Sequence, residues 1–289
     1  MQNLFLAQAQ TGKNEWWRYL MGILLIVIVW QGGAFAFSVV MAISTGGEMP
    51  KQASPTMFAL MLASFAFLLI GTWLVNRWMH GRSVKSLTTP FERVSWKRIL
   101  LGALLWLVAT TIASIVEALL YPGRYVANPN PVGVLPYLLI GLVLLPLQTS
   151  AEEYFFRGYL LQATGRLLQQ PVLLAVLNGL LFALPHLANP EVDVMGFSLS
   201  VLFYALMGFI FAYVTLKTQT LEVALGMHAA NNFFTGVFAN YQTSALQTES
   251  FFLIQTLDPV YGLISLVVVV VLFIALLSTD WMKKWLELA

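Results

Sequence analysis

An all-α, polytopic membrane protein with about eight transmembrane helices is the fold class this sequence predicts. Three observations predict it. Of 289 residues, 59% are hydrophobic and only 10% are charged, where a soluble domain is nearer a quarter charged. The mean hydropathy is +0.78. The apolar residues fall into runs of about 20 residues, the length of one helical span.

The spans read in order as 19–44, 56–78, 98–121, 133–151, 171–187, 196–216, 219–240 and 258–279. The first begins near Tyr19 and is too long for the h-region of a cleaved signal peptide, about 7–15 residues. Before it, Leu4-Phe5-Leu6-Ala7 is a weak apolar patch in a polar tail. The connector 78–98 is rich in Lys and Arg and reads as solvated, with His80 in it beside Gly81 and Arg82. The third span ends near Glu117, a lone acid expected to snorkel to the interface. The fourth is interrupted by Pro146, and helical pattern resumes through Glu152 to about Gln169. Gln169-Gln170-Pro171 then marks a tight turn into the fifth span, where Asn178 is expected to bond a neighbouring helix. No repeat and no soluble domain interrupts the chain, so 1–289 reads as one transmembrane domain.

The positive-inside rule orients the chain. With the N-terminus inside, twelve of the fifteen Lys and Arg fall in inside loops, and only Lys51 and Arg124 fall outside, Arg157 being within a helix. Glu48, Glu191, Asp193, Glu249 and Asp258 lie outside on the same count. Both termini are therefore expected in the cytoplasm, and a bacterial plasma membrane is the expected compartment. Trp16, Trp17, Trp30, Trp78 and Trp96 suit an interfacial belt. A net charge of +2 gives no reason to expect a nucleic-acid partner. No cysteine is present, which excludes disulfides, thiol catalysis and iron–sulfur ligation.

Ionisable groups inside a membrane segment are costly and functional by default. Three constellations qualify: Glu152-Glu153-x-x-x-Arg157, Phe182-x-x-x-His186 and His228-x-x-x-Asn232. On a helix, residues four apart share a face. Glu153 is thus placed to pair with Arg157, while Glu152 points elsewhere, among apolar neighbours. That setting suits a general base near neutral pH. His228 and Asn232 share a face and offer two donors to one point, which suits a developing oxyanion, with Asn231 off that face. Glu152 lies seventeen residues before Gln169 and His186 seventeen after it. In an antiparallel hairpin both reach one level, about 25 Å from the turn. Glu152 and His186 can then meet around one water.

Other intramembrane cutting chemistries lack their motifs: there is no His-Glu-x-x-His, no Gly-x-Gly-Asp and no Gly-x-Ser-Gly. Two histidines and a glutamate remain adequate zinc ligands, so a zinc metalloprotease using the same residues is the runner-up to a cofactor-free enzyme. A non-enzymatic immunity or scaffold protein is the third reading. A transporter is disfavoured, because no matching broken helices mark two halves.

The three motifs, in this order over about 150–235, resemble the CAAX-protease and bacteriocin-processing (CPBP, or Abi) family, the type II CAAX prenyl endopeptidases. The resemblance implies a glutamate-type intramembrane protease. Carried onto this chain, Glu152 and His186 would activate water, and His228 and Asn232 would hold the oxyanion. Glu153, Arg157 and Phe182 would support them. It further implies a peptide or membrane-protein substrate, lipidated in some members, with membrane lipids as the surroundings.

Overall fold

The structure, a computed structural model, describes residues 3–44, 46 and 54–286. Glu48 and Lys51 of the charge count lie outside the described residues. Twelve α-helices are present among them: α1 (Leu4–Ala7), α2 (Trp16–Ser44), α3 (Pro55–Trp78), α4 (Trp96–Leu120), α5 (Leu135–Glu153), α6 (Leu161–Thr164), α7 (Pro171–His186), α8 (Val192–Met195), α9 (Phe197–Thr218), α10 (Glu222–Phe233), α11 (Pro259–Leu277) and α12 (Asp280–Leu286). Short strands β1 (Tyr125–Ala127), β2 (Ala239–Asn240) and β3 (Phe252–Ile254) form one sheet in the order β1-β3-β2. β1 runs antiparallel to β3, and β2 parallel to it. The protein is an all-α membrane protein with this small sheet at one end.

Among the described residues, six helices are long and apolar enough to cross a membrane: 16–43, 55–78, 96–120, 131–164, 197–218 and 259–277. The other two expected spans are also helices, but shorter. α7 has 16 residues and α10 has 12. With the π-helical stretch that continues it to Phe238, α10 reaches about 25 Å, still short of a hydrocarbon core of about 30 Å. Its residues from Glu222 to His228 are all buried. α10 is therefore the enclosed centre of the bundle, packed by α4, α5 and α9.

Glycines bring these backbones together. A Cβ at Gly226 of α10 would strike the carbonyl oxygen of Ile99 on α4, and one at Gly102 of α4 would strike that of Val223. Gly179 on α7 and Gly208 on α9 meet in the same way. In a membrane, packing of small residues replaces the hydrophobic drive between helices.

Pro146 does not interrupt its helix. α5 runs unbroken through it, and the irregularity falls later, as a π-helical stretch over Tyr154–Leu160. A second π-helical stretch, Phe234–Phe238, directly follows α10. π-bulges are rare and concentrate at functional sites; these two directly follow the glutamate and His-x-x-x-Asn motifs.

Four expectations about the loops and ends need correction. His80 is fully buried, with Nδ1 2.7 Å from the Lys13 carbonyl and Nε2 2.9 Å from the Tyr159 hydroxyl. Arg82 is buried too and donates to Gln162 Oε1 at 2.6 Å. This part of the connector folds back on the π-helical stretch, so His80 and Arg82 find protein partners rather than water, while Lys85, Glu92, Arg93 and Lys97 stay exposed as expected. The patch 4–7 is a docked helix: Asn3 caps it, Phe5 is fully buried, and Asn3 Nδ2 donates to the Leu216 carbonyl. Glu117 does not snorkel freely but accepts from Arg124 at 2.7 Å and Tyr125 at 2.6 Å. Trp16, Trp17, Trp78 and Trp96 are exposed as a belt requires, whereas Trp30 lies mid-helix against Phe65. Asn178 does bond a neighbouring segment, donating to the Phe156 carbonyl at 2.8 Å.

Candidate active site

Glu152 and Glu153 close α5, so both leave a regular helix just where the π-helical stretch begins. Glu153 is fully buried and its Oε1 accepts from Arg157 at 2.8 Å, the i,i+4 pair the sequence predicts. The same oxygen lies 2.7 Å from His228 Nδ1. A carboxylate oxygen accepts there, so His228 carries a proton on Nδ1. Its Nε2 faces Glu152 Oε2 at 3.4 Å. Glu153 thus does more than pair with Arg157: it bridges Arg157 and His228. The cluster holds two carboxylates, one guanidinium and one imidazole. It is neutral when one proton is shared between His228 and Glu152.

Aromatic rings wall this cluster. Arg157 lies 4.3 Å from the Phe182 ring and 5.2 Å from that of Phe211, and donates to the Gly208 carbonyl at 3.3 Å. His228 stacks on Phe211 at 4.9 Å. Phe182 touches both histidines, with ring centroids 4.3 Å from His186 and 5.9 Å from His228. A cation over a desolvated ring face gains about 2 kcal/mol, so these rings offset part of the cost of burying Arg157.

His186 ends α7. Its Nδ1 is 2.7 Å from the Phe182 carbonyl. A carbonyl can only accept, so neutral His186 carries its proton on Nδ1 and leaves Nε2 with a free lone pair. Asn232 donates to Gln148 Oε1 at 3.0 Å and accepts from Asn231 at 3.1 Å. Asn231 is in turn held by Trp106 Nε1 at 3.1 Å. Asn231, expected off the face that His228 and Asn232 share, nonetheless lines the same cavity and donates to Asn232.

One cavity of about 540 Å³ is lined by Glu152, His186, His228 and Asn232 together. Its walls come from α3, α4, α5, α7, α9, α10 and α11, and β1, β2 and β3 each contribute a residue. The hairpin expectation holds to this extent: the helix carrying Glu152 and the one carrying His186 bring both to the same cavity. Gln148, missed in the sequence, lines it as well. A signal was available, since Gln148 lies one turn before Glu152 on the same helix face. Glu191 was read as an outer-loop acid. It is buried, lines the cavity, and receives hydrogen bonds from Tyr204 and from the Ala245 amide.

The family model described as Type II CAAX prenyl endopeptidase Rce1-like matches residues 131–234. That stretch contains all three polar motifs. A similar protein is YyaK of Bacillus subtilis (strain 168), described as uncharacterized, 31% identical over 243 residues that cover 81% of each chain. The chain belongs to the Rce1-like CAAX endopeptidase family. It is therefore an integral membrane protein of an intramembrane CAAX-type protease family. Among the described residues no group of three His, Cys, Asp or Glu is gathered closely enough to hold a metal ion. Of the ring nitrogens of His228, Nδ1 already bonds Glu153.

Proposed function

We propose that this chain is a metal-independent, glutamate-type intramembrane endopeptidase. The single observation that carries this reading is the convergence of Glu152, His186, His228 and Asn232 on one largely apolar cavity within the helix bundle. Glu152 and His186 act together on a water molecule. The free lone pair on His186 Nε2 accepts a hydrogen bond from the water, and the Glu152 carboxylate takes the proton as the oxygen attacks the scissile carbonyl carbon. The carbonyl π electrons move onto its oxygen. His228, protonated and held through Nδ1 by Glu153, donates from Nε2 to that oxyanion, and Asn232 donates from its amide. The tetrahedral species then collapses, the carbon–nitrogen bond breaks, and the departing amine takes the proton from Glu152. Donors fixed in a water-poor site cost no reorganisation during the reaction, and one such donor contributes about 2.7–4 kcal/mol.

The substrate is a peptide or membrane-protein segment, with a lipidated cysteine peptide as the class the family's name points to. The enzyme works among the lipids of a bacterial plasma membrane with both termini in the cytoplasm, a reading supported by the distribution of Lys and Arg.

Comparative membrane proteomics tests the proposal, with cells expressing wild type against cells expressing Glu152→Gln. A neutral amide cannot take a proton, so a precursor should accumulate in the variant at equal protein level. Identical proteomes would overturn the endopeptidase reading.

A further inference from the structure

His186 stands beside the ionic cluster rather than in it, and its ring is closely confined. Phe182 covers one side, at 4.3 Å between centroids and 38° between planes. Tyr204 of α9 also packs on it, at 4.7 Å and 34°. Phe182 belongs to the same helix turn as His186. Tyr204 reaches it from a different helix, so it can restrain the ring independently of α7.

Tyr204 is itself anchored. Its hydroxyl donates to Glu191 Oε1 at 2.5 Å and accepts from Asn189 Nδ2 at 3.1 Å. Glu191 is buried, and its Oε2 accepts from the backbone amide of Ala245 at 3.0 Å. One carboxylate therefore ties three separate pieces of chain: the loop after His186, helix α9, and the outer loop between β2 and β3. A buried carboxylate is costly unless its oxygens are occupied, and here both are. No step of the peptide-bond chemistry uses Glu191, Tyr204 or Asn189.

We infer that Tyr204, fixed by Glu191, is a positioning residue that holds the imidazole of His186 in the orientation and tautomer that water activation needs. The inference rests on the proposed role of His186. A one-ångström misplacement of a reacting group costs on the order of a hundredfold in rate, so a restraint on this ring acts directly on turnover. Tyr204 also lines the cavity, but its ring packs on the catalytic imidazole, so its loss should fall on kcat more than on KM. The link to Ala245 extends the restraint to the loop between β2 and β3, whose Tyr241, Ser244 and Leu246 also line the cavity.

The chain has three histidines, so ¹⁵N-histidine spectra of the full chain in lipid nanodiscs can be assigned by single substitutions. Wild type should show His186 as one Nδ1-protonated tautomer. Tyr204→Leu should give an averaged signal for His186 and leave His80 and His228 unmoved. Tyr204→Phe keeps the ring but releases it from Glu191, and should give a smaller change. Hydrolysis of a farnesyl-cysteine peptide with three following residues is then measured on the same samples. Tyr204→Leu should lower kcat at least tenfold and change KM less than twofold, and Tyr204→Phe should retain a third or more of wild-type kcat. An unchanged His186 signal in Tyr204→Leu overturns the inference. So does a changed signal with wild-type kcat. Failure of the wild-type protein to cut the peptide would count against the proposed function and leave the spectroscopic result standing on its own.

Discussion

Glu153→Gln is the substitution whose effect the structure defines best. Glu153 and Arg157 are both completely buried and pair at 2.8 Å, and Glu153 Oε1 also meets His228 Nδ1 at 2.7 Å. A glutamine oxygen can still accept from both, so the hydrogen bonds persist and the charge is lost. Removing one partner of a buried pair costs about 3–5 kcal/mol, because the other charge is left uncompensated. Arg157 keeps three aromatic neighbours and the Gly208 carbonyl, and cation–π contact at a desolvated site contributes about 2 kcal/mol. The expected loss is therefore at the lower end, about 3 kcal/mol. The assay is reversible unfolding in mixed detergent micelles, followed by circular dichroism, on wild type, Glu153→Gln and Glu152→Gln. Glu152 has no arginine partner and meets His228 Nε2 only at the longer distance of 3.4 Å, so Glu152→Gln should cost less, staying within about 1 kcal/mol of wild type. The double variant Glu153→Gln with Arg157→Met should recover much of the loss, since no lone charge remains. Glu153→Gln within about 0.5 kcal/mol of wild type would refute the account, and so would an equal loss in Glu152→Gln.

Metal analysis of purified, active protein should find no stoichiometric zinc; about one zinc per chain, with activity lost on chelation and restored by zinc, would establish the metalloprotease alternative. Reporter fusions in the 78–98 connector should read cytoplasmic and those at 186–195 and 241–257 external, and a cytoplasmic signal at 241–257 would overturn the proposed orientation. His80 is pushed below its ordinary pKa of 6.5 chiefly by burial. A histidine that is harder to protonate when folded stabilises the protein fully above pH 6.5, and that contribution is lost as pH falls below it. Wild type should therefore lose stability below about pH 6.5 more steeply than His80→Gln, which has no proton to gain; equal pH dependence of the two would contradict this.

What the sequence determined by itself is what local chemistry writes along one segment. The apolar runs gave the eight longer helices, α2 to α5, α7 and α9 to α11, because a backbone in lipid must satisfy its own hydrogen bonds. Four-residue spacing gave the Glu153–Arg157 pair, and equal counts on either side of Gln169 brought Glu152 and His186 to one cavity. The family motifs, too, were complete within 152–232. Only the tertiary structure decided contacts between segments distant in sequence. It turned Glu153 to His228, 75 residues away, and Asn232 to Gln148, 84 residues away. It buried His80 against Tyr159 and drew Glu191 in from an apparently external loop to hold Tyr204. It also shifted the irregularity from Pro146 to the π-helical stretch after Glu153. Spacing within a helix fixes which side chains share a face, but not which neighbouring helix that face meets. That choice follows from close packing at Gly102, Gly179, Gly208 and Gly226, where absent side chains let backbones approach and so set how the helices are juxtaposed.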